Sequence, residues 1–410
     1  MSKQPRQPPP PAGRPERTPS GLALSGERFS ATYRLRADDR DHALARARSI
    51  CLEQTVEFPW EAIPDDAIRD GIVGQITALR QVAADTFDAA IHYPDEAAGA
   101  ELTQLVNVLF GNLSIQPGVR LLDVRLSGGL ARHYRGPRFG AAGLRALLCV
   151  PDRPLLCTAL KPMGLSPADL ADLAYTLALG GIDLIKDDHG LANQAFCPFD
   201  ERVARCAEAV ARANHETGQR CLYLPNVTAP YPDLSRRARL AKDAGAGGLL
   251  LCPGLAGLDS MRALADDDAL ALPILSHPAF QGSLAVSPDA GLSHRVLYGL
   301  LNRLAGADAA IFPHAGGRFA YTEAQCREIQ AGCTDPMVAV PPGAAEAPAD
   351  FAPILPVPAG GMRLERIDEL VAFYGPDCML LIGGDLHTRP ADLIASCRRF
   401  RTLAEQTVGR

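Results

Sequence analysis

Residues 154–189 read PLLCTALKPMGLSPADLADLAYTLALGGIDLIKDDH. The apolar run 155–160 comes first, the amphipathic stretch 167–179 follows it, and a second apolar run, 182–185, leads into four ionisable residues. An apolar run, a helix-compatible stretch and another apolar run in this order predict a strand, a helix and a second, parallel strand. The segment therefore predicts parallel β-structure with polar groups at a strand end.

This alternation repeats through the rest of the chain. Eight apolar runs follow one another, at residues 155–160, 182–185, 221–224, 248–251, 272–275, 309–312, 354–357 and 379–382. The amphipathic stretches between and after them include residues 167–179, 199–213, 234–244, 293–304, 364–374 and 390–403. Eight βα units in about 250 residues are typical of a (β/α)8 TIM barrel, which we predict for residues 148–410. The alternative, an open doubly wound sheet, lacks a Gly-x-Gly-x-x-Gly motif after its first strand.

The chain before residue 148 follows a different pattern. Residues 1–26 contain four consecutive prolines and little that packs, so we expect a flexible, proline-rich tail outside the fold. Residues 29–35 alternate as a half-buried strand does, and residues 38–52 predict a helix capped by Asp38. Further strand and helix patterns predict an α+β domain at residues 27–147.

Composition and charge exclude several classes of protein. The 410 residues are 47% hydrophobic and carry a net charge of −6, which fits a folded protein and not a globally basic nucleic-acid binder. The 11 cysteines contain no Cys-x-x-Cys pair and indicate neither a disulfide framework nor a zinc ribbon. No apolar run reaches the ~20 residues of a membrane helix. We expect a cytoplasmic enzyme that binds neither nucleic acid nor membrane.

Polar residues or glycines follow most of the predicted barrel strands. TIM-barrel active sites lie at the carboxyl ends of the strands, so these residues are candidates for one shared site. They are Lys161, residues 186–189, Asn226, Thr228, His277, His314, Arg318, Gly360, Gly361, Gly383, Gly384 and Asp385.

The sharpest signal is Lys-Asp-Asp-His at residues 186–189, because burying charges is costly unless they are paired or bind a metal. Strand alternation places Lys186 and Asp188 on one face and Asp187 and His189 on the other. Two explanations remain open: a Lys–Asp ion pair that caps the barrel, and a divalent-metal site whose carboxylate oxygens suit Mg²⁺.

The glycine pairs after strands seven and eight predict a phosphate site. Backbone N–H groups approach an anion closely only where no Cβ intrudes, and the last two loops of TIM barrels frequently bind phosphate. Glycines that merely permit tight turns are the alternative.

The remaining candidates also have two interpretations each. Lys161 is either a rim lysine or a surface lysine, and His277 is either a general acid or base or a structural histidine. His314 and Arg318 lie in a glycine-rich loop that either closes over a ligand or is an ordinary surface loop.

Together these residues resemble the large-subunit family of ribulose-bisphosphate carboxylase (RuBisCO), and more closely its RuBisCO-like, form IV members. The most specific stretch, GGIDLIKDD at residues 180–188, matches the family signature Gly-Gly-x-Asp-x-x-Lys-Asp-Asp-Glu. Other matches are Lys161-Pro162 with 164–166, residues 193–196 and 226–229, His277, both glycine pairs, Gly111-Asn112 and residues 53–55. The resemblance covers about residues 28–405.

The resemblance implies a homodimer with a shared active site, in which Asn112, with Glu53 and Thr55 nearby, completes the partner's barrel mouth. It also implies that Lys186 is carbamylated by CO₂ and holds Mg²⁺ together with Asp188. Lys161 would be the proton-transfer lysine. The glycine pairs would bind the phosphate of a phosphorylated keto-sugar or keto-sugar acid, and we also expect Arg318 to bind this substrate.

Three departures from the family pattern argue against carbon fixation. His189 stands where the family's third metal ligand is glutamate, which favours Mn²⁺ or another divalent metal, or leaves the site without a third protein ligand. Carboxylases have an arginine at Pro278, which holds a second phosphate. They also have a lysine in the loop at residues 314–321, where this chain has none.

We therefore predict a metal-dependent RuBisCO-like enzyme that cleaves a C–C bond, by decarboxylation or hydrolysis, in a phosphorylated 3-oxo sugar acid. The family resemblance implies 3-oxo-isoapionate 4-phosphate of branched-pentose (apiose) catabolism as a substrate. The alternatives are an enolase or isomerase acting on a methylthio-pentulose phosphate in methionine salvage, a non-catalytic sugar-phosphate-binding protein, and a Schiff-base barrel aldolase.

Overall fold

The computed structural model describes residues 21–340, 349–388 and 392–408. Most of the predicted tail, residues 1–20, lies outside the described residues, and residues 21–27 form neither helix nor strand. Within the described ranges, no helix is both long enough and apolar enough to cross a membrane.

The N-terminal half is built on a mixed sheet with helices packed against it. Its strands are β1 (Arg28–Arg36), β2 (Gln75–Ala83), β3 (Thr86–Pro94) and β4 (Val119–Arg125), and its helices are α1 (Arg40–Glu53), α2 (Asp66–Gly71), α3 (Asp95–Ala98), α4 (Leu102–Phe110), α5 (Gly128–Ala131) and α6 (Gly140–Leu148). The helix α1 is capped by Asp39, whose side chain accepts from the His42 backbone N–H, so the prediction of Asp38 as the cap was wrong by one residue. Short 3₁₀ turns lie at Trp60–Ala62 and Asn112–Ile115.

Eight parallel strands form the second half of the chain. They are β5 (Leu155–Leu160), β6 (Leu184–Asp187), β7 (Leu222–Leu224), β8 (Leu249–Leu251), β9 (Ile274–Ser276), β11 (Ala309–Pro313), β12 (Leu355–Ala359) and β13 (Met379–Leu381). They are arranged as two ladders, β13-β5-β6-β7 and β12-β11-β9-β8. A bridge between Asn226 and Leu250 joins one pair of ladder ends, and β12 and β13 lie side by side at the other. The predicted (β/α)8 barrel, preceded by an α+β region, is confirmed.

Helices follow the barrel strands. They are α7 (Pro167–Leu179), α8 (Phe199–Thr217), α9 (Asp233–Asp243), α10 (Pro253–Ala256), α11 (Leu258–Asp266), α12 (Leu301–Leu304), α13 (Glu323–Thr334), α14 (Ile367–Tyr374), α15 (Gly384–His387) and α16 (Leu393–Glu405), with a π-helical segment at Arg295–Leu300. Local sequence explains α7, because Ser166 and Asp169 form a capping box and Pro167 occupies the first turn. Residues 390 and 391 of the predicted last helix lie outside the described residues.

The barrel interior is apolar and closed at one end. Side chains such as Leu155, Leu184 and Leu355 form a cluster with Leu144 and Leu148 of α6. Because α6 precedes the first barrel strand, it covers the amino ends of the strands and leaves the carboxyl ends open. The domain boundary that we predicted at residues 147 and 148 stays a prediction.

One strand connects the two halves. The two-residue strand β10 (Gly291–Leu292) lies in the loop region after β9, yet it pairs in parallel with β4 of the N-terminal sheet. The fifth loop of the barrel is thereby tied to the N-terminal sheet.

Candidate active site

A cleft of about 1460 Å³ opens at the carboxyl ends of the barrel strands. It is lined by eleven of the fifteen strand-end candidates: Lys161, Lys186, Asp188, His189, His277, Arg318, Gly360, Gly361, Gly383, Gly384 and Asp385. The other four candidates, Asp187, Asn226, Thr228 and His314, do not line it. Residues far apart in sequence thus meet at one end of the barrel, as the TIM-barrel prediction requires. The role of each residue stays a prediction.

Lys186 is the most buried ionisable residue at the base of the cleft, with 2% of its surface exposed. Its Nζ donates to the Asp187 carbonyl oxygen at 3.1 Å. Burial lowers the pKa of this amine, although Asp188 acts in the opposite direction. The neutral form of the amine is therefore easier to reach by deprotonation here than in a solvated lysine.

Asp188 connects the residues of the mouth. Its Oδ2 lies 2.9 Å from Lys161 Nζ, and its Oδ1 accepts from the His189 backbone N–H at 3.0 Å and lies 3.1 Å from His189 Nδ1. Burial raises the pKa of the carboxyl, but the hydrogen bonds from His189 and Lys161 and the charge of Lys186 outweigh it and hold the pKa below its usual range. Asp188 is therefore an anion beside two lysines.

His277 and His189 stack with ring centroids 4.3 Å apart and an interplanar angle of 13°. His277 Nδ1 accepts from the Ala279 backbone N–H at 3.2 Å, so the neutral ring carries its proton on Nε2. Burial and the nearby positive charge of Lys186 and His189 lower the pKa of His277 to about 2. At neutral pH, His277 is an uncharged ring.

The predicted strand 182–185 differs from β6, which extends through Asp187. Asp187 points away from the mouth and accepts from Arg202 Nε at 3.1 Å, Tyr223 OH at 2.8 Å and the Asn226 backbone N–H at 3.0 Å. The expectation that His189 shares the face of Asp187 was wrong. The strand ends at Asp187, and the chain then turns His189 back toward Asp188.

Asp183 of the sequence signature has a structural role that its motif does not reveal. It forms a buried bidentate pair with Arg153, at 2.6 and 2.7 Å, and accepts from the Leu156 backbone N–H at 2.8 Å. These contacts tie β6 to β5 and position Lys186.

The two glycine pairs differ in their surroundings. Gly360 and Gly361 have φ of +89° and +102°, and an added Cβ would lie 3.0 Å from the Phe319 ring and 3.1 Å from Arg318 Cγ, respectively. At Gly383 and Gly384, no heavy atom of the described residues lies within 4 Å of an added Cβ. Backbone conformation and loop packing explain the first pair, whereas the second pair faces open space.

The donor set for a metal ion is incomplete without modification of Lys186. Among the described residues, no group of three or more His, Cys, Asp or Glu side chains is placed to hold a metal ion. Asp188 and His189 supply two donors, and Lys186 supplies a third only as an anionic carbamate. These residues therefore fit a divalent metal on that condition.

Asn112, which we expected to act in the site of a partner, does not line the cleft of its own chain. It lies on the N-terminal half, where its Nδ2 donates to Glu53 Oε1 at 2.8 Å. Thr55 donates its hydroxyl to the Cys51 carbonyl oxygen. The role of Asn112 in a partner's cleft stays a prediction.

Sequence reasoning missed several residues that line the cleft: Phe280, Val286, Tyr298, Phe319, Tyr321 and Arg363. None belongs to the motifs that carried the family resemblance. The available signal was the apolar character of residues 278–286, directly after a strand-end histidine.

A TIM barrel with lysines and a carboxylate at its mouth, preceded by an α+β domain, defines the class of protein that RuBisCO represents. Residues 140–408 match the family model described as ribulose bisphosphate carboxylase large chain, catalytic domain. The chain belongs to the RuBisCO large-chain family, and the resemblance seen in its sequence is confirmed.

Two relatives match nearly the whole chain. Ribulose bisphosphate carboxylase-like protein 1 of Rhodopseudomonas palustris is 43% identical over 374 residues, which are 91% of this chain and 96% of the relative. The 5-methylthioribulose-1-phosphate isomerase of Rhodospirillum rubrum is 41% identical over 361 residues, 88% of this chain and 91% of the relative.

A third relative and a solved structure also match most of this chain. The 2,3-diketo-5-methylthiopentyl-1-phosphate enolase of Geobacillus thermodenitrificans is 37% identical over 314 residues, 76% of this chain and 73% of the relative. The crystal structure of a Rubisco-like protein from Rhodopseudomonas palustris superposes with a TM-score of 0.81 at 39% identity, covering 93% of this chain and 99% of that one.

Proposed function

We propose that this protein is a RuBisCO-like isomerase or enolase that moves a proton on a phosphorylated, methylthio-bearing keto-sugar. The observation that carries the proposal is the ion pair of Lys161 and Asp188 beside the buried Lys186, in a cleft that also has an apolar wall. Relatives named as a methylthioribulose-phosphate isomerase and a diketo-methylthiopentyl-phosphate enolase support this alternative better than the C–C cleavage that we predicted first.

Lys161 is the proton-transfer residue in this proposal. About 39% of its side chain is exposed, toward the cleft, while Asp188 holds its Nζ in place. As the free amine, Lys161 would take the proton from the substrate carbon and become an ammonium group. That group stabilises the negative charge of the enediolate oxygen and then returns the same proton to the neighbouring carbon. The uncharged His277 would donate a hydrogen bond from Nε2 to the substrate without adding a second positive charge.

Lys186 as a carbamate, Asp188 and His189 would hold the metal ion, for which Mg²⁺ is the family expectation. When bound, a divalent metal polarises the substrate carbonyl. The burial that lowers the pKa of Lys186 favours the neutral amine, which is the form that reacts with CO₂. The imidazole of His189 favours Mn²⁺ or another transition metal over Mg²⁺.

The open space at Gly383 and Gly384 supports a phosphate site there, because backbone N–H groups are accessible and no side chain intrudes. Arg318 and Arg363 line the same cleft, and neither has a carboxylate partner among the described residues. Both arginines are therefore available to a substrate phosphate.

A homodimer completes this proposal. Phe58, Trp60 and Ile115 of the N-terminal half are 48%, 47% and 84% exposed and lie in the same segments as Glu53 and Asn112. A second copy would cover these apolar side chains and bring Asn112 to the partner's barrel mouth. Mixing inactive Asn112→Ala with inactive Lys161→Ala subunits should restore about a quarter of the activity, since half of randomly reassorted dimers have one intact site. No recovery in a mixture shown to exchange subunits would contradict the shared site.

The activity is tested with the purified protein, bicarbonate and Mg²⁺ or Mn²⁺ in D₂O. We expect turnover of 5-methylthioribulose 1-phosphate or the 2,3-diketo compound, with deuterium incorporated at carbon, followed by ¹H and ³¹P NMR. Lys161→Ala should abolish turnover, and Lys242→Ala, on the exposed surface of α9, should not.

The other functions have distinct outcomes in the same screen. Release of CO₂ from 3-oxo-isoapionate 4-phosphate would replace the proposal with C–C cleavage, which stays a prediction. Binding of both sugar phosphates without turnover or exchange would indicate a non-catalytic protein. Borohydride trapping of a substrate adduct would indicate a Schiff-base mechanism.

A further inference from the structure

We infer that Phe280 and Val286, in the loop after β9, form the binding site for the apolar end of the substrate. These side chains are 77% and 70% exposed, and both line the cleft. The inference deepens the proposed function and rests on it for the identity of the substrate. It assigns substrate selectivity to loop five.

Phe280 is held in a backbone conformation that bulky residues avoid. Its φ is +68°, in the left-handed region, which is strained for a residue other than glycine. The Ala279 N–H bonds to His277 Nδ1, and the Gln281 N–H bonds to the Pro278 carbonyl oxygen. These two hydrogen bonds hold the backbone of the turn in this conformation, and the turn places the Phe280 ring at the cleft.

The space for this turn is provided by the neighbouring loop. Gly254 lies after strand β8, and a Cβ there would come within 2.5 Å of the Ala279 carbonyl oxygen. A glycine at this position therefore lets the segment that carries Phe280, in loop five, pack closely against loop four.

Val286 is fixed from the N-terminal half. Arg120 of β4 donates to the carbonyl oxygens of Ala285 and Ser287, on either side of Val286. The pairing of Gly291 with Arg120 continues this attachment. The apolar wall is thus held in place before any ligand binds, which lowers the entropic cost of binding.

Ring position places this wall across the mouth from Lys161 and three strands away from the proposed phosphate site. In a closed barrel of eight strands, the fifth strand lies across from the first, and the loop after β9 is the fifth. Lys161 follows the first strand, and Gly383 and Gly384 follow the eighth. A molecule whose phosphate lies at these glycines and whose reacting carbons lie at Lys161 extends toward Phe280.

The chemistry of this end suits an apolar group and not a second phosphate. The cleft-lining residues between 277 and 286 include no Asp, Glu, Lys or Arg. The nearby hydroxyls of Tyr298 and Tyr321 bond to each other at 3.0 Å. Burial of each CH₂-sized group here should tighten binding about four-fold.

The test compares ligands that differ only at the tail. Titration calorimetry of the metal-loaded, bicarbonate-treated protein would use n-pentyl phosphate, 5-hydroxypentyl phosphate and inorganic phosphate. We expect n-pentyl phosphate to bind at least ~10-fold more tightly than its hydroxyl analogue. Phe280→Gly, which suits the backbone φ, should bring this ratio near one and leave the affinity for inorganic phosphate unchanged.

The control variant is Leu255→Ala, which removes a side chain that is 59% exposed and lies outside the cleft. Its tail preference should equal that of the wild type. A preference that survives in Phe280→Gly would overturn the inference. If Phe280→Gly also dissociates the dimer while the tail preference remains, Phe280 is a subunit contact and not part of the binding site.

Binding without turnover keeps this inference separate from the proposed function. If no keto-sugar phosphate reacts but the tail preference depends on Phe280, the proposed reaction fails and the apolar site stands. If turnover is found, Phe280→Gly should raise KM for the methylthio substrate about 10-fold with kcat within two-fold. A variant with both constants unchanged would refute the apolar site alone.

Discussion

Asp187 and Asp188 are neighbours in the chain, yet they belong to two different regions of the molecule. Asp187 lies in the layer between barrel and helices, where its carboxylate and Arg202 are both fully buried. Asp188 lies at the barrel mouth, where 15% of its side chain is exposed and its partner is the more exposed Lys161. The same residue type therefore stabilises the fold at one position and serves a cleft at the next.

The two glycine pairs repeat this contrast within the mouth itself. Gly360 and Gly361 are required by positive φ and by the loop that packs on them, whereas Gly383 and Gly384 border open space. A residue at a strand end is thus a candidate for function only when the fold does not already need it. The first three predictions below test this distinction, from the largest effect to the smallest, and the fourth concerns the pH dependence of stability.

Asp187→Ala should lower the free energy of unfolding by about 3–5 kcal/mol, because it leaves the buried Arg202 without its carboxylate. Urea unfolding measures the loss. Adding Arg202→Met to this variant should recover part of the stability, since the buried charge is then absent. A loss below ~1 kcal/mol would show that Asp187 does not hold the outer layer together.

Asp188→Asn should have the opposite profile. We expect kcat/KM to fall by at least about 10²-fold, because Lys161 loses the anion that positions it and the proposed metal site loses an anionic ligand. Stability should change by less than ~1 kcal/mol, since the ion pair is partly exposed. Steady-state kinetics and urea unfolding on the same preparation check both values. Retained activity in this variant would remove the ion pair from the mechanism.

Alanine substitutions should separate the two glycine pairs. Gly361→Ala forces a side chain into φ of +102° and should cost about 1–3 kcal/mol of stability. Gly384 is the first residue of α15 and faces open space. Gly384→Ala should therefore leave the free energy of unfolding unchanged or raise it by up to ~1 kcal/mol. Its affinity for inorganic phosphate should fall at least ~10-fold by calorimetry, and unchanged affinity would place the phosphate elsewhere.

His294, which packs against the cleft-lining Tyr298 and Tyr321, should make stability depend on pH. Burial and the charge of Arg120 lower the pKa of His294 to about 4, against ~6.5 in the unfolded chain. Between these values the unfolded chain binds the extra proton, so stability falls as pH drops, by about 1.4 kcal/mol per pH unit. His294→Gln should flatten this limb in urea unfolding from pH 6.5 to 4; an equally steep limb would assign it to other groups.

Much of the fold and the site could be predicted from local pattern. The apolar run 155–160 coincides with β5, and 167–179 coincides with α7, because strand and helix periodicity and a capping box are properties of neighbouring residues. Lys161, Lys186, Asp188 and His277 converge on one cleft because parallel strands share an edge.

Other features had no local signal. We predicted C–C cleavage without weighing the apolar side chains of the loop after β9. Phe280 lines the cleft because distant residues, Gly254 among them, make room for its turn.

The amino-acid sequence by itself determined the order of the βα units and the polar residues at their ends, since both follow from short-range periodicity. Only the tertiary structure decided that Asp187 faces Arg202 while Asp188 faces Lys161, that His189 turns back to stack on His277, and that one glycine pair is needed for packing while the other is not. Each of these depends on where a strand ends and on partners far away in the chain, and such long-range contacts form only when the barrel closes.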